Sequence, residues 1–201
     1  MVIKNILGIT NSSELSETEE RISKRKAAEL FDKDLLKDIE PGSLESLKSI
    51  HKYLFGEIYD FAGCVRDVDI SKGNFRFAPA IYLEEALRKI EKMPQGNFDQ
   101  IVEKYVEMNV AHPFMEGNGR SMRIWLDEIL KKEISKVIDW SSVDKNEYLL
   151  AMERSPVRDL EIKHILKQAL TDETEKREMY MKGIDYSYFY EGYDIYKTKD
   201  L

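Results

Sequence analysis

At 201 residues the chain is long enough for one domain with a hydrophobic core, spanning 1–201, and short for two. Charged residues make up 34% and hydrophobic ones 42%, with only 5 Pro and 10 Gly, which fits a globular, helix-rich protein rather than a disordered or all-β one. A formal charge of -7 argues against general affinity for nucleic acid, and the lone Cys64 excludes an internal disulfide and suits a reducing cytoplasm. No apolar stretch reaches the roughly 18 residues of a membrane span.

In chain order, Ser16 and Glu19 stand in capping-box spacing and open a helix over 16–32 that carries Ile22, Ala27, Leu30 and Phe31. After Pro41-Gly42 a second helix starts at Ser43, with Leu44, Leu47, Ile50, His51, Leu54 and Phe55 on one face before Gly56. From Val65 the period changes to two. Val68 and Ile70 alternate with polar residues, Lys72-Gly73-Asn74 is a turn signal, and Phe75 and Phe77 flank Arg76, so the spacing predicts one hairpin near 65–78. Helical patterning returns at 80–92 and again after Asn97, which caps a helix with Gln100 three residues on. Met122, Trp125, Leu126, Ile129 and Leu130 mark another helix, and weaker ones are expected near 145–153 and 157–170. The C-terminal aromatics, Tyr180 to Tyr196, favour a buried tail over a loose one.

The stretch HPFMEGNGRSMR, residues 112 to 123, sits between two of these helices. Gly117, Asn118 and Gly119 would stand at a helix N-terminus, where unpaired N–H groups and the helix dipole attract anions and where a wrapping backbone needs dihedrals open to glycine. Arg120 and Arg123 share one face and suit a polyphosphate. A carboxylate beside phosphates is repulsive unless a cation lies between, so Glu116 reads as a ligand to Mg²⁺, with Ca²⁺ or Mn²⁺ as alternatives. His112, with an ordinary pKa of about 6.5, suits a general base for an incoming hydroxyl. Singly, each residue has a bland reading as a cap, a loop or a solvated face; only the joint spacing points to chemistry. His51 and His164 lack motif support and read as structural.

That joint spacing resembles the Fic-family signature HxFx(D/E)GNGRxxR at every defined position, and residues 50–79 are similar to the helix, Ala-Gly turn and "flap" hairpin that precede it in the family. The resemblance implies an all-α Fic-fold helical bundle with the single flap hairpin. It also implies a cytoplasmic, bacterial nucleotidyltransferase that moves AMP from ATP to a Ser, Thr or Tyr hydroxyl of a target protein. On this chain His112 would be the base and Glu116 the metal ligand. Gly117, Asn118 and Gly119 would cradle phosphate, with Arg120 on phosphate and Arg123 on the γ-phosphate, and Phe114 would anchor the loop. Ile70, Lys72, Phe75 and Phe77 of the flap would dock an extended target segment by strand addition. Relatives with lysine in place of the second glycine act as kinases; Gly119 therefore points to AMP.

The tail SYFYEGY resembles the inhibitory motif (S/T)xxxE(G/N) as Ser187, Glu191 and Gly192, in a short helix over 186–192. This is the pattern of the self-inhibited class III subgroup, in which the glutamate pairs with the second arginine, here Arg123. The alternative is a bifunctional enzyme whose Glu191 also serves metal-dependent removal of AMP, and a nucleotide-binding docking protein without catalysis is the third reading. Tyr188 is a candidate for self-modification, and a homo-oligomer is compatible with the pattern.

Overall fold

The computed structural model describes residues 2–73 and 75–201, so Asn74 of the hairpin turn lies outside the described residues. Helix α1 (Ser12–Asp32) begins four residues before the capping-box pair, because Asn11 is the cap and accepts the Glu14 N–H. Ser16 and Glu19 are thereby interior, and Glu19 turns into the core. Helix α2 (Leu44–Phe55) starts where its Ser43 cap accepts the Ser46 N–H, and buries Leu47, Ile50, Leu54 and Phe55 completely. Helix α3 (Ala80–Glu91) follows the hairpin. Helix α4 (Phe98–Ala111) is capped by Asn97, while Gln100 accepts from Gly96 N–H rather than from Asn97.

Helix α5 (Asn118–Ile134) lies between α2 and α4 and is buried nearly all round: Met122, Trp125, Leu126, Ile129 and Leu130 have no exposure. Such a helix needs partners on every side. The Trp125 Nε1–H donates to Ser43 O and Ser46 Oγ, which ties α5 to the start of α2. Helices α6 (Lys145–Arg154) and α7 (Leu160–Gln168) pack on each other, and α7 on α4.

The expected hairpin is shorter than its alternating stretch: β1 (Ser71–Lys72) pairs antiparallel with β2 (Phe75–Arg76). A second pair went unpredicted. Strands β3 (Val137–Ile138) and β4 (Leu170–Thr171) are antiparallel, and two residues each are too few to show alternation. Among the described residues the bundle is otherwise all helical, and no helix is long and apolar enough to cross a membrane.

Helix α8 (Arg177–Tyr190) corrects the expectation of a short helix over 186–192. It runs fourteen residues, places Ser187 in its last turn rather than at an N-cap, and ends with Glu191 as cap and Gly192 left-handed at φ 92°. Met181, Ile184, Tyr188 and Tyr190 bury one side against α1, α5 and the turn at Trp140–Ser142. Beyond it Tyr193 donates to Glu19, the Tyr196 N–H to Glu20, and Lys24 Nζ to Tyr196 O, so the tail is pinned to α1.

Asp127 of α5 accepts the Ile138 N–H at 2.9 Å and the Trp140 Nε1–H at 2.8 Å, and burial pushes its carboxyl up to about 7. Both donors are buried. Asp127→Ala would orphan them, and each unpaired buried group costs roughly 1–3 kcal/mol. We expect about 3 kcal/mol of lost stability in urea unfolding, with a smaller loss for Asp127→Asn, whose amide keeps one acceptor.

Candidate active site

Helix α4 stops at His112 because that residue turns left-handed, at φ 49°, while its N–H still reaches Met108 O. The turn is held by Arg66, which no sequence signal singled out. Its guanidinium donates to the carbonyls of His112, Ala111, Val68 and Ala78, joining the C-terminus of α4 to both ends of the hairpin segment. A cation there also complements the negative end of the helix.

Phe114 has no exposure and stacks on His51 at 3.8 Å between ring centres. The Asn118 side chain closes the loop: Oδ1 accepts the Phe114 N–H at 2.9 Å and Nδ2 donates to Phe114 O at 2.7 Å. The Asn118 amide is therefore used inside the loop, and only its backbone is left to face an anion. His51 accepts the Gly63 N–H at Nδ1 and donates from Nε2 to Glu116 O; burial lowers its pKa to about 4, so it is neutral. It is structural, as expected, and its position fixes the loop.

Two glycines make room. At Gly117, φ 76°, a Cβ would come within 2.4 Å of the Phe55 ring. At Gly119 a Cβ would meet Glu191 Oε1 at 2.4 Å and both terminal nitrogens of Arg123 at 3.2 Å. The Glu191 carboxylate thus occupies the hollow beside the first turn of α5, where unpaired helix N–H groups gather.

Arg123 is buried and already engaged. Its Nε donates to Ser187 Oγ at 2.7 Å, and its Nη2 to Ser187 O at 2.9 Å and to Glu191 Oε1 at 2.8 Å. Burial would lower its pKa, but the Glu191 charge holds it well above the ordinary value. Burial likewise opposes ionisation of Glu191, yet Arg123 and then Lys72 bring its carboxyl down to about 2. Arg120, expected on phosphate, is likewise already paired. It is 1% exposed, donates to Glu19 and, at 3.0 Å, to Glu116 Oε1, and lies among the rings of Phe55, Tyr188 and Tyr193. Glu116 Oε1 also accepts the Gly117 N–H, while Oε2 has no partner among the described residues.

The hairpin closes the other wall. Phe77 stacks on the His112 imidazole at 3.6 Å, so this phenyl ring covers the histidine rather than standing free for a partner, and Phe75 meets Phe77 edge-on. Lys72 Nζ reaches Glu191 Oε2 at 3.3 Å, and Ile70 O accepts the Phe77 N–H. His112 Nδ1–H points to Asn109 O at 3.3 Å, and Nε2 has no partner among the described residues. Burial lowers the His112 pKa to about 4, below the value near 6.5 that the residue type suggested. His112, Glu116, Gly117, Gly119, Arg123, Glu191 and the hairpin residues all border one cleft of about 670 Å³. Helix α6 adds Tyr148, Leu149 and Met152, which its weak periodicity had not marked. Tyr188 does not reach the cleft: it has no exposure, which removes it as an accessible self-modification site in this fold.

A sequence model of the Fic/DOC family matches residues 41–130. Protein adenylyltransferase VbhT of Bartonella schoenbuchensis is 32% identical over 157 residues, 73% of this chain but 32% of its own length, so the chain spans about a third of that relative. Probable protein adenylyltransferase Fic of Salmonella typhimurium is 26% identical over 186 residues, 87% of this chain and 90% of its own. Among solved structures, the N-terminal Fic domain of a Bartonella effector protein (Bep) from Bartonella sp. AR 15-3 superposes with a TM-score of 0.70 at 19% identity, covering 86% of this chain and 88% of that one. The BepC protein of Bartonella tribocorum, solved with bound AMPPNP, gives 0.66 at 18% identity over 85% and 93%. At such identities these structures speak for the fold, and with the sequence matches they place a Fic domain here: residues 41–130 of the chain belong to the Fic/DOC family.

Proposed function

We propose that the chain is a self-inhibited, ATP-dependent protein adenylyltransferase of the class III kind. The observation that carries the reading is the position of the Glu191 carboxylate, in the Gly119 hollow and on Arg123. A polyphosphate needs that same hollow and that same guanidinium, and one fork cannot serve both anions fully. The curated relatives above bear the name protein adenylyltransferase, which supports the chemistry.

In the active arrangement the backbone at Gly117–Gly119 and the dipole of α5 hold the phosphates of ATP, and Arg123 turns to the γ-phosphate. His112 Nε2 takes the proton of a target hydroxyl as that oxygen bonds the α-phosphorus and the bond to the β-phosphate oxygen breaks, releasing pyrophosphate. Positioning and charge neutralisation supply most of such catalysis. Glu116 offers one open carboxylate oxygen beside the phosphate cradle, a donor set that fits a hard cation arriving with phosphate oxygens and water. Mg²⁺ bound there would neutralise phosphate charge. The hairpin edge at β1 and β2 would take an extended target segment. Glu191 also shares the cleft with His112 and Glu116, which favours AMP removal as a second activity of the same site.

Release of inhibition is a side-chain event in this reading. Unseating α8 would expose Met181, Ile184, Tyr188 and Tyr190, and re-exposing one buried aliphatic side chain alone costs about 1.5–3 kcal/mol. It would also strip two rings from Arg120. Rotating Glu191 breaks only its pairs with Arg123 and Lys72.

Glu191→Gly is therefore expected to raise transferase activity at least tenfold, whereas deletion of residues 187–201 lowers the melting temperature and does not reproduce that gain. Arg123→Ala combined with Glu191→Gly stays inactive. A folded, ATP-binding Glu191→Gly chain no more active than wild type removes self-inhibition from the reading. In the activated chain, label from the α-phosphate of ATP should enter protein and label from the γ-phosphate should not. His112→Ala should cut the rate by about 10²- to 10⁴-fold with ATP binding retained.

The pH profile follows from the His112 environment. The base is the neutral form, so with its pKa lowered to about 4 the rate stays level through neutral pH and falls only as pH drops through about 4. An acid limb at or above 6.5 in initial-rate measurements would contradict this lowered pKa.

A further inference from the structure

We propose that Glu19, on α1 and outside the matched segment, is a positioning residue for Glu116, acting through Arg120. The inference rests on the reading of Glu116 as the cation-facing carboxylate.

Arg120 is a buried cation with two carboxylates in reach. Nη1 donates to Glu19 and Nη2 to Glu116 Oε1, so the guanidinium spans the gap between α1 and the loop instead of closing on either acid. Its Nε is buried without a hydrogen-bond partner among the described residues and lies among aromatic rings. Glu19 is 2% exposed and fully employed: Oε1 takes Arg120 and the Tyr193 hydroxyl at 2.9 Å, and Oε2 takes the Tyr59 hydroxyl. Burial would raise its pKa, but the Arg120 charge and these hydrogen bonds hold it below the ordinary carboxylate value, so it is ionised.

A buried guanidinium must have a full counter-charge. Glu19 supplies it from the core side. Glu116 consequently gives Arg120 one oxygen only and keeps Oε2, with its charge, for a cation. Without the Glu19 charge, the planar fork of Arg120 would close on both oxygens of Glu116, the geometry guanidinium and carboxylate prefer. The open oxygen would be lost, and an unneutralised arginine would repel an incoming divalent ion.

The test is Mn²⁺ binding to the full chain in the presence of ADP, followed by electron paramagnetic resonance, with ADP binding in the absence of metal measured alongside. Glu19→Gln keeps shape and loses charge; it should bind Mn²⁺ at least tenfold more weakly while metal-free ADP affinity is unchanged. Glu19→Asp keeps charge and loses a methylene; it should stay within about threefold of wild type. A role in shape alone gives the opposite order and overturns the proposal, as does a Glu19→Gln chain that binds Mn²⁺ like wild type. If Glu19→Gln does not fold, Glu19→Asp alone decides: Mn²⁺ affinity within about threefold of wild type supports the charge role, and a larger loss overturns it. Wild type that binds ADP but no Mn²⁺ sinks the assignment of Glu116 itself, a result distinct from equal binding by wild type and Glu19→Gln.

Discussion

A guanidinium taken out of water has to be paired, and α5 carries two of them, Arg120 and Arg123, one turn apart and both buried. Much of the molecule outside the family segment at 41–130 answers that demand. Helix α1 brings Glu19 to Arg120, and α8 brings Ser187 and Glu191 to Arg123. The rings that flank the two cations come from the same outer elements: Tyr188, Tyr190 and Tyr193 from α8 and its continuation, joined by Phe55 and Tyr148. The loop at 112–118 is shaped from within by Asn118 and Phe114, but the charges beside it are set by helices distant in sequence.

The two pairs differ in kind. Arg120 with Glu19 is sealed, each below a few per cent exposure, and removing one partner of such a pair costs about 3–5 kcal/mol because the other charge is left stranded. Arg123 with Glu191 is lopsided: the arginine is buried, while the glutamate side chain keeps 20% exposure at the cleft wall and has Lys72 as an alternative neighbour. Arg123 also keeps Ser187 Oγ and Ser187 O when Glu191 leaves, so its donors are not all orphaned. A sealed pair suits a permanent strut, and a lopsided one suits an exchangeable contact.

The parts of this design written in local code were legible in the sequence. Ser43 and Asn97 cap their helices because cap chemistry is a short-range property, and the density of special residues in HPFMEGNGRSMR exceeds what any single structural role needs. What the sequence hid was long-range. Glu19 looked like the second half of a capping box, yet Asn11 had already taken the cap and Glu19 falls on the buried face of α1. Arg66 carries no motif, since donating to four backbone carbonyls requires only that those carbonyls converge in space. Strands β3 and β4 are separated by two helices and hold two residues each, too short for any period. The His112 pKa belongs to Phe77 and the surrounding burial, not to histidine.

Under the proposed self-inhibition, these constraints also decide where inhibition is stored. If α8 were a detachable plug, its loss would free Arg123 but would also remove Tyr188 and Tyr193 from Arg120 and one donor from Glu19, loosening the strut that orients Glu116. The same helix therefore cannot leave without disturbing the site it would be uncovering. Glu191 stands at its C-terminal cap, where the helix has ended and the side chain can turn without unwinding a hydrogen-bonded turn; Gly192, left-handed behind it, sends the backbone on to Tyr193 at α1. Fixed backbone and movable carboxylate are thus properties of adjacent residues, which lets one helix be a structural wall along its length and, in the proposed reading, a regulatory contact at its cap.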